Sequence, residues 1–170
     1  MTRNSVEASK TRKRKVFNNS SASIVVGAFF SASYCFLAPN EAFAQCATSP
    51  PAPLTVSSGE SCADAGVTRG STVNGTHAID VQSGGTYQGN NVNLFTTGEF
   101  ARAINVSGTG QATLAGGSAV TQQQYSYGLS AESGGAIHAT DFGIETNGYA
   151  ASAALASGAG STLTLGPVSA

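Results

Sequence analysis

The sequence predicts an all-β protein built as a parallel β-helix of about four coils, preceded by a signal peptide. Two observations carry this prediction. The chain repeats itself with a period of 25, and each copy contains an apolar–polar–apolar segment typical of a strand, followed by a glycine turn. The composition agrees, because 21 glycines and only 10% charged residues disfavour a helical bundle.

Residues 1–44 have the pattern of a secretory signal peptide. Six of the eight lysines and arginines lie within the first fifteen residues, and a mostly apolar stretch follows at 24–38. An A-x-A sequence at 42–44 places the predicted cleavage between Ala44 and Gln45. The apolar stretch is shorter than the roughly twenty residues of a membrane span, and an uncleaved membrane anchor is the alternative. The Sec translocase is therefore an expected partner during export through the inner membrane.

The formal net charge of −1 hides an uneven distribution. After residue 44 only two basic residues remain, Arg69 and Arg102, against seven acidic residues. A protein that binds nucleic acid needs a basic patch on its folded part to contact phosphates. Nucleic acid is therefore not an expected partner.

We expect residues 45–76 to form an N-terminal cap or first coil. They contain Cys46 and Cys62, and an exported protein favours one disulfide between two such cysteines. Closing this short loop contributes about 3 kcal/mol on the chain-entropy model; two unpaired thiols are the alternative. No metal or cofactor site is expected, because His77 and His138 are isolated and the cysteine spacing does not match a zinc motif. His77 precedes a strand at the position that Arg102 and Tyr127 hold in later copies, and we expect it to be a surface residue and not a base.

The predicted repeats occupy residues 77–170. A glycine marks the turn in each copy, where we expect that it allows positive φ and that a side chain would be stacked on its neighbours: Gly85, Gly110, Gly135 and Gly160. An apolar residue lies six positions before the turn, and stacked coils would align these residues in an inner column: Ile79, Ile104 and Leu129. The next residues would form a polar column outside: Asp80, Asn105 and Ser130. The last copy, around residues 154–158, allows a slip of one residue.

Threonines and aromatic residues keep the same register later in each copy. The threonines are Thr96, Thr121 and Thr146; Phe100, Tyr125 and, one residue off, Tyr149 introduce the next copy. Three tyrosines offer a surface for sugar or protein binding, or alternatively cover the coil edge: Tyr125, Tyr127 and Tyr149. A flexible Gly/Ser-rich linker is the alternative to the repeats, but it has no reason to keep apolar residues in register.

With its export signal and its strands followed by Ser-Gly-Gly at 83–85 and 133–135, the region from Leu54 to Ala170 resembles the passenger of a bacterial autotransporter of the pertactin-like type. The resemblance implies a right-handed parallel β-helix of the pectin-lyase type, displayed at the outer membrane or cell surface of a Gram-negative bacterium. It also implies an adhesin with a role in virulence and a host or cell-surface protein or glycan as partner. The translocator barrel of that family has no counterpart in the sequence, and we interpret the chain as an incomplete fragment. For such a fragment the periplasm is the alternative location.

The sequence does not favour an enzyme. The G-x-S-x-G motif of a nucleophile elbow is absent around Ser83 and Ser133, which recur at the turn. Asp141 and Glu145 are the best remaining acidic pair, and His138 is close enough in sequence to Asp141 for a surface pair. The alternative function is a secreted carbohydrate-active β-helix enzyme, a polysaccharide lyase or hydrolase, which needs an acidic cluster across adjacent coils.

Overall fold

The structure is a computed structural model that describes residues 43–167. Most of the predicted signal peptide, residues 1–42, lies outside the described residues. No helix of the described part is long and apolar enough to cross a membrane. The regular elements of this part are all strands: β1 (Ala44–Gln45), β2 (Leu54–Val56), β3 (Ser61–Ala65), β4 (Thr68–Ser71), β5 (Ile79–Val81), β6 (Thr86–Thr96), β7 (Arg102–Ser107), β8 (Gln111–Thr121), β9 (Tyr127–Glu132), β10 (Ala136–Thr140), β11 (Gly143–Thr146), β12 (Ser152–Ser157) and β13 (Thr162–Leu165).

The strands stack in parallel as a β-solenoid of about four turns, which confirms the predicted all-β solenoid. One sheet has five strands in the order β12-β9-β7-β5-β2. The other has eight strands, with β1-β3-β6-β8-β10-β13 as its path and with β4 and β11 paired to β6 and β8. Ile104 lies opposite both Ile79 and Leu129, so the inner aliphatic column is confirmed. The predicted threonine register is confirmed as well, because Thr121 pairs with Thr96 and Thr146.

A corner divides the eight-stranded sheet into two faces. The residues at this corner recur once per coil and all have positive φ, at 64°, 52°, 69° and 51°: Gly66, Asn91, Gly116 and Asp141. Glycine, asparagine and aspartate are the residues that adopt the left-handed conformation most readily. The residue types at this column therefore explain why β6 and β8 can bend here without leaving their sheet.

Of the two reasons expected for the turn glycines, one is found. Gly85, Gly110 and Gly135 do not have positive φ, so the expectation of positive φ was wrong for these three residues. Each lies against the backbone of the preceding coil: a Cβ atom at Gly85 would be 2.7 Å from the carbonyl oxygen of Val56, and one at Gly110 2.8 Å from that of Gln82. Glycine is required because a side chain has no room between stacked turns.

The last turn contains one additional residue. Ala136 of β10 lies opposite Thr162 of β13, an offset one larger than the period of the earlier coils. The slip was predicted around residues 154–158, but Ala154 and Ser157 keep the ordinary offset from Leu129 and Glu132, so the additional residue follows Ser157. As a result Ser161, and not Gly160, takes the place that Gly135 has one coil earlier. The prediction of Gly160 as an equivalent turn glycine was therefore wrong, although its φ of 78° is positive.

The polar column of the five-stranded sheet forms, but it is not exposed as predicted. The side-chain amide of Asn105 donates to Oδ1 of Asp80 at 2.8 Å. Asn105 and Ser130 are both buried, while Asp80 is half-buried. The column is therefore a set of packed polar groups, of which only the first is partly in contact with solvent.

Charged residues close the N-terminal end of the core. Arg69 pairs in register with Leu94, and Asp64 lies two coils before Leu114 in the same column. Both charged side chains are buried and form an ion pair. The Tyr87 hydroxyl donates to Oδ2 of Asp64 at 3.2 Å. Burial raises the pKa of Tyr87, and the charge of Asp64 raises it further.

The segment 46–53 covers this charged end. Arg69 donates from Nη2 to the carbonyl oxygen of Thr48 at 2.9 Å and from Nη1 to that of Ala52 at 3.3 Å. Cys46 and Cys62 form a disulfide, with their Cα atoms 4.9 Å apart. A disulfide and the hydrogen bonds from Arg69 thus fix the same segment against the first coil.

Candidate functional site

A row of exposed aromatic rings lies at the turn that precedes each strand of the five-stranded sheet. We call Phe100, Tyr125 and Tyr149 the aromatic edge. Their exposed fractions are 54%, 39% and 77%. Large hydrophobic side chains are rarely left this open in a group, and an exposed apolar patch often marks an interaction surface. The aromatic edge is therefore the first candidate for a binding site.

The ring geometry of the aromatic edge follows from the register. The rings of Phe100 and Tyr125 lie one coil apart and are stacked, with centroids 5.2 Å apart and planes at 4°. Tyr149 is one position short of the next equivalent residue, Ala150, and meets Tyr125 edge-on, with centroids 6.1 Å apart and planes at 87°. Such aromatic pairs contribute about 0.5–1.5 kcal/mol each beyond their burial.

The backbone under the aromatic edge is strained. Gly75, Phe100, Tyr125 and Ala150 share one turn position and have φ of 71°, 57°, 55° and 54°. This conformation suits glycine and is unusual for a bulky side chain, and holding a non-glycine residue there costs about 1–3 kcal/mol. Because such strain clusters at functional sites, its recurrence at two aromatic residues supports a role for this edge.

A polar network lies beside the aromatic edge on the five-stranded sheet. We call Asp80, Arg102, Asn105 and Glu132 the Arg102 network. Arg102 donates from Nη1 to Oδ1 of Asn105 at 2.7 Å and to Oε2 of Glu132 at 2.9 Å, and its Nη2 lies 2.8 Å from Oε1 of Glu132. The guanidinium carbon of Arg102 also lies 5.7 Å from the ring centroid of Tyr127, within reach of a cation–π contact.

His77 is part of the same region and was predicted to be an ordinary surface residue. It is half-buried, and its Nδ1 accepts a hydrogen bond from the backbone N–H of Arg102 at 3.1 Å. Burial lowers the pKa of His77 and the positive charge of Arg102 lowers it further, while Asp80 and Glu132 oppose the shift. The neutral ring is therefore favoured at this position, because it keeps Nδ1 free as an acceptor.

Two polar atoms of this region are buried without a hydrogen-bond partner among the described residues, Nε of Arg102 and Oγ of Ser130. Sequence reasoning did not single out Arg102 as a functional residue, although its register with His77 and Tyr127 was visible. Its position as one of two arginines after residue 44 could have drawn attention to it. The Arg102 network thus links three neighbouring strands of the five-stranded sheet, β5, β7 and β9.

The remaining predicted site residues lie elsewhere. Ala44 and Gln45, the predicted cleavage residues, form β1 beside β3. Glu145 is exposed and accepts a hydrogen bond from Asn147 at 2.8 Å, while Asp141 occupies the corner described above. The ion pairs of residues 43–167 do not include one between His138 and Asp141. Residues 43–167 also contain no group of three or more histidines, cysteines or acidic residues that could hold a metal ion.

Comparison with known proteins identified no relative of this chain. No protein-family model matches this sequence, and neither a curated protein nor a solved structure matches it.

Proposed function

We propose that this chain is an exported structural and adhesive β-solenoid of the autotransporter-passenger type, which acts at the cell surface of a Gram-negative bacterium. The aromatic edge is the observation that carries this proposal. It offers exposed aromatic residues in a row, which is the kind of surface that contacts a protein or a glycan.

The aromatic edge is suited to binding because it is ordered before a partner arrives. The stacked rings of Phe100 and Tyr125 hold each other in place, and the register of the coils fixes their backbone. Ordered side chains lose little conformational entropy on binding. Stacking uses one face of each ring. Phe100 and Tyr125 offer their ring edges and the Tyr125 hydroxyl to a partner, which is a host or cell-surface protein or glycan.

Two further features support export. The basic, apolar and A-x-A segments of residues 1–44 follow one another as in a secretory signal. The Cys46–Cys62 disulfide is stable in the oxidising compartments outside the cytoplasm.

An adhesion assay tests this function. Beads coated with the full chain are counted after washing on epithelial-cell monolayers and on immobilised glycans. The test variant replaces Phe100, Tyr125 and Tyr149 with asparagine, which tolerates positive φ. We expect the count of retained beads to fall roughly tenfold, as for the loss of an aromatic hot spot.

The matched control is a triple asparagine variant of the exposed residues Gln88, Thr113 and His138 on the eight-stranded sheet, which should leave bead retention unchanged. Equal retention by wild type and the aromatic-edge variant would contradict an adhesive role for this surface. Release of reducing ends or unsaturated sugars from polysaccharides by the wild type would favour the alternative, a carbohydrate-active enzyme.

A further inference from the structure

The turn position that carries Phe100 and Tyr125 has no side chain in the coil before them. Gly75 occupies this position, and its N–H donates to the carbonyl oxygen of Glu99 just as the N–H of Phe100 donates to that of Gln124 one coil later. A Cβ atom at Gly75 would meet no other atom within 4 Å. Open space therefore lies beside Phe100 where the preceding coil would place a ring, and we call this space the Gly75 slot.

One face of the Phe100 ring is directed toward the Gly75 slot. The planes of Phe100 and Tyr125 differ by only 4°, and Tyr125 lies in the following coil. The other face of Phe100 is therefore turned toward the preceding coil, where Gly75 has no side chain to cover it. Stacked coils lie about 4.8 Å apart, so a planar group in the slot can stack on Phe100 as Tyr125 does on the opposite side.

A carboxylate is held next to the Gly75 slot. Glu99 directly precedes Phe100, and its side-chain Oε1 accepts a hydrogen bond from Nε2 of Gln124 at 3.0 Å. Its backbone N–H donates to Oδ1 of Asn74 at 3.0 Å. Glu99 is half-buried and forms no ion pair with any residue of 43–167. Its neighbours thus hold this side chain in place without neutralising its charge.

The described surface around this site is acidic. No lysine follows Lys15, and the two arginines of residues 43–167 are already paired, Arg69 inside the core and Arg102 with Glu132. Five acidic residues form no ion pair within this part of the chain: Glu60, Asp80, Glu99, Asp141 and Glu145. Such a surface attracts a cationic partner and repels an anionic one.

A planar cation matches both parts of the site. The guanidinium group of arginine is planar, stacks on aromatic faces and pairs with carboxylates, whereas a glycan offers no positive charge to Glu99. We propose that the aromatic edge, in the adhesive role proposed above on which this inference rests, recognises arginine side chains of a partner protein. The guanidinium enters the Gly75 slot, stacks on Phe100 and pairs with the carboxylate of Glu99.

Binding of synthetic peptides to the immobilised full chain tests this proposal. One probe alternates arginine with serine and has blocked ends. The second probe carries citrulline in place of arginine, which keeps the planar shape and removes the charge. We expect the dissociation constant of the citrulline probe to be at least about tenfold higher. Added salt should weaken binding of the arginine probe.

Two variants test the two parts of the site. Glu99→Gln removes the charge and keeps an oxygen that can accept from Gln124, and it should raise the dissociation constant of the arginine probe at least about tenfold. Gly75→Asn fills the slot with a residue that tolerates positive φ and should weaken binding as well. The matched control is Glu145→Gln, which removes an exposed carboxylate that accepts from Asn147 and should leave the dissociation constant unchanged.

Far-ultraviolet circular dichroism checks that each variant is folded. Equal affinity for the two probes, or wild-type affinity in Glu99→Gln, would overturn the proposal. Equal weakening by Glu99→Gln and Glu145→Gln would overturn it as well, because binding would then follow the overall charge. Binding of the neutral oligosaccharide cellohexaose without binding of the arginine probe would assign the aromatic edge to a glycan instead.

The bead assay separates a failure of this inference from a failure of the adhesive function. If the aromatic-edge variant loses retention on cells while Glu99→Gln is retained like the wild type, adhesion stands and arginine recognition is overturned. If the aromatic-edge variant is retained like the wild type, the adhesive function fails. Binding of the arginine probe that still requires Glu99 would then support the site by itself.

Discussion

Arg69 and Asp64 form a buried ion pair at inward positions that aliphatic residues occupy in later coils. In the first coil these positions form the end of the core, and a paired charge can meet the polar atoms of the covering segment there. Arg69 uses this position to hold the carbonyl groups of Thr48 and Ala52. The ion pair thus makes the first coil different from the repeats that follow.

Removing the arginine from this pair should strongly destabilise the protein. Arg69→Met leaves the carboxylate of Asp64 buried without its partner, and we expect the free energy of unfolding in urea to fall by about 3–5 kcal/mol. Arg102→Met breaks the more exposed pair with Glu132 and should cost no more than about 1 kcal/mol from the charges. The double variant Asp64→Leu/Arg69→Met should recover much of the loss. Equal effects of the two single variants would contradict this account of the cap.

The disulfide should stabilise the same end. Replacing both Cys46 and Cys62 with alanine is expected to lower the free energy of unfolding by about 3 kcal/mol, because the unfolded chain regains the freedom of the loop. Urea denaturation with and without a reductant measures this difference. The reductant should bring the wild type to the stability of the variant and leave the variant unchanged. A wild type that keeps its stability after full reduction would show that Arg69 alone holds the segment.

The sequence period made part of this fold predictable. Once the repeat is known, Ile79, Ile104 and Leu129 must stack, since parallel coils align equivalent residues. Asp64 and Arg69 could not be predicted as inward residues, because they break the apolar column in one coil only and their pairing depends on the cap. Nor could the half-buried environment of His77 be predicted, because it depends on Arg102 in the next coil.

The aromatic edge was visible in the sequence only as a spacing. The stacked pair of Phe100 and Tyr125 follows from equal positions in successive coils, and the edge-on contact of Tyr149 follows from its shift by one residue. Which of these rings would be exposed depends on how the turn projects from the sheet. The spacing of the residues does not contain that information.

Close packing between stacked turns should make one glycine indispensable and leave another replaceable. A Cβ atom at Gly135 would collide with the carbonyl oxygen of Val106, whereas at Gly143 the nearest atoms are 3.8 Å away and φ is not positive. We expect Gly135→Ala to destabilise the protein by about 1–3 kcal/mol through overpacking. Gly143→Ala should stabilise it by about 0.4–1 kcal/mol, because alanine restricts the unfolded chain.

Thermal and urea unfolding of both glycine variants measure this contrast. The decisive result is whether the change in the free energy of unfolding has opposite signs in the two variants. Destabilisation of similar size at both positions would mean that backbone freedom, rather than the approach of neighbouring turns, determines where glycine is needed. If the Gly135→Ala variant were as stable as the wild type, the preceding coil would be able to move aside.

The environment of His77 should make stability depend on pH. Its pKa is lowered from the ordinary value of 6.5 in the folded state, so the unfolded chain binds the proton more readily. The contribution of His77 to the free energy of unfolding is therefore fully present above pH 6.5, and it is lost as the pH falls toward the pKa of the folded state. Urea denaturation between about pH 7.5 and about pH 5.5 should show a steeper loss of stability in the wild type than in His77→Asn.

Asparagine is the informative replacement for His77, because its amide oxygen can accept the hydrogen bond from the backbone N–H of Arg102 without titrating. A matched variant, His138→Asn, changes the other described histidine, which is exposed on the outer face of the eight-stranded sheet. The pH profile of His138→Asn should follow that of the wild type. If His77→Asn kept the full slope of the wild type, the loss of stability on acidification would originate in the carboxylates, and the contact between His77 and Arg102 would have no part in it.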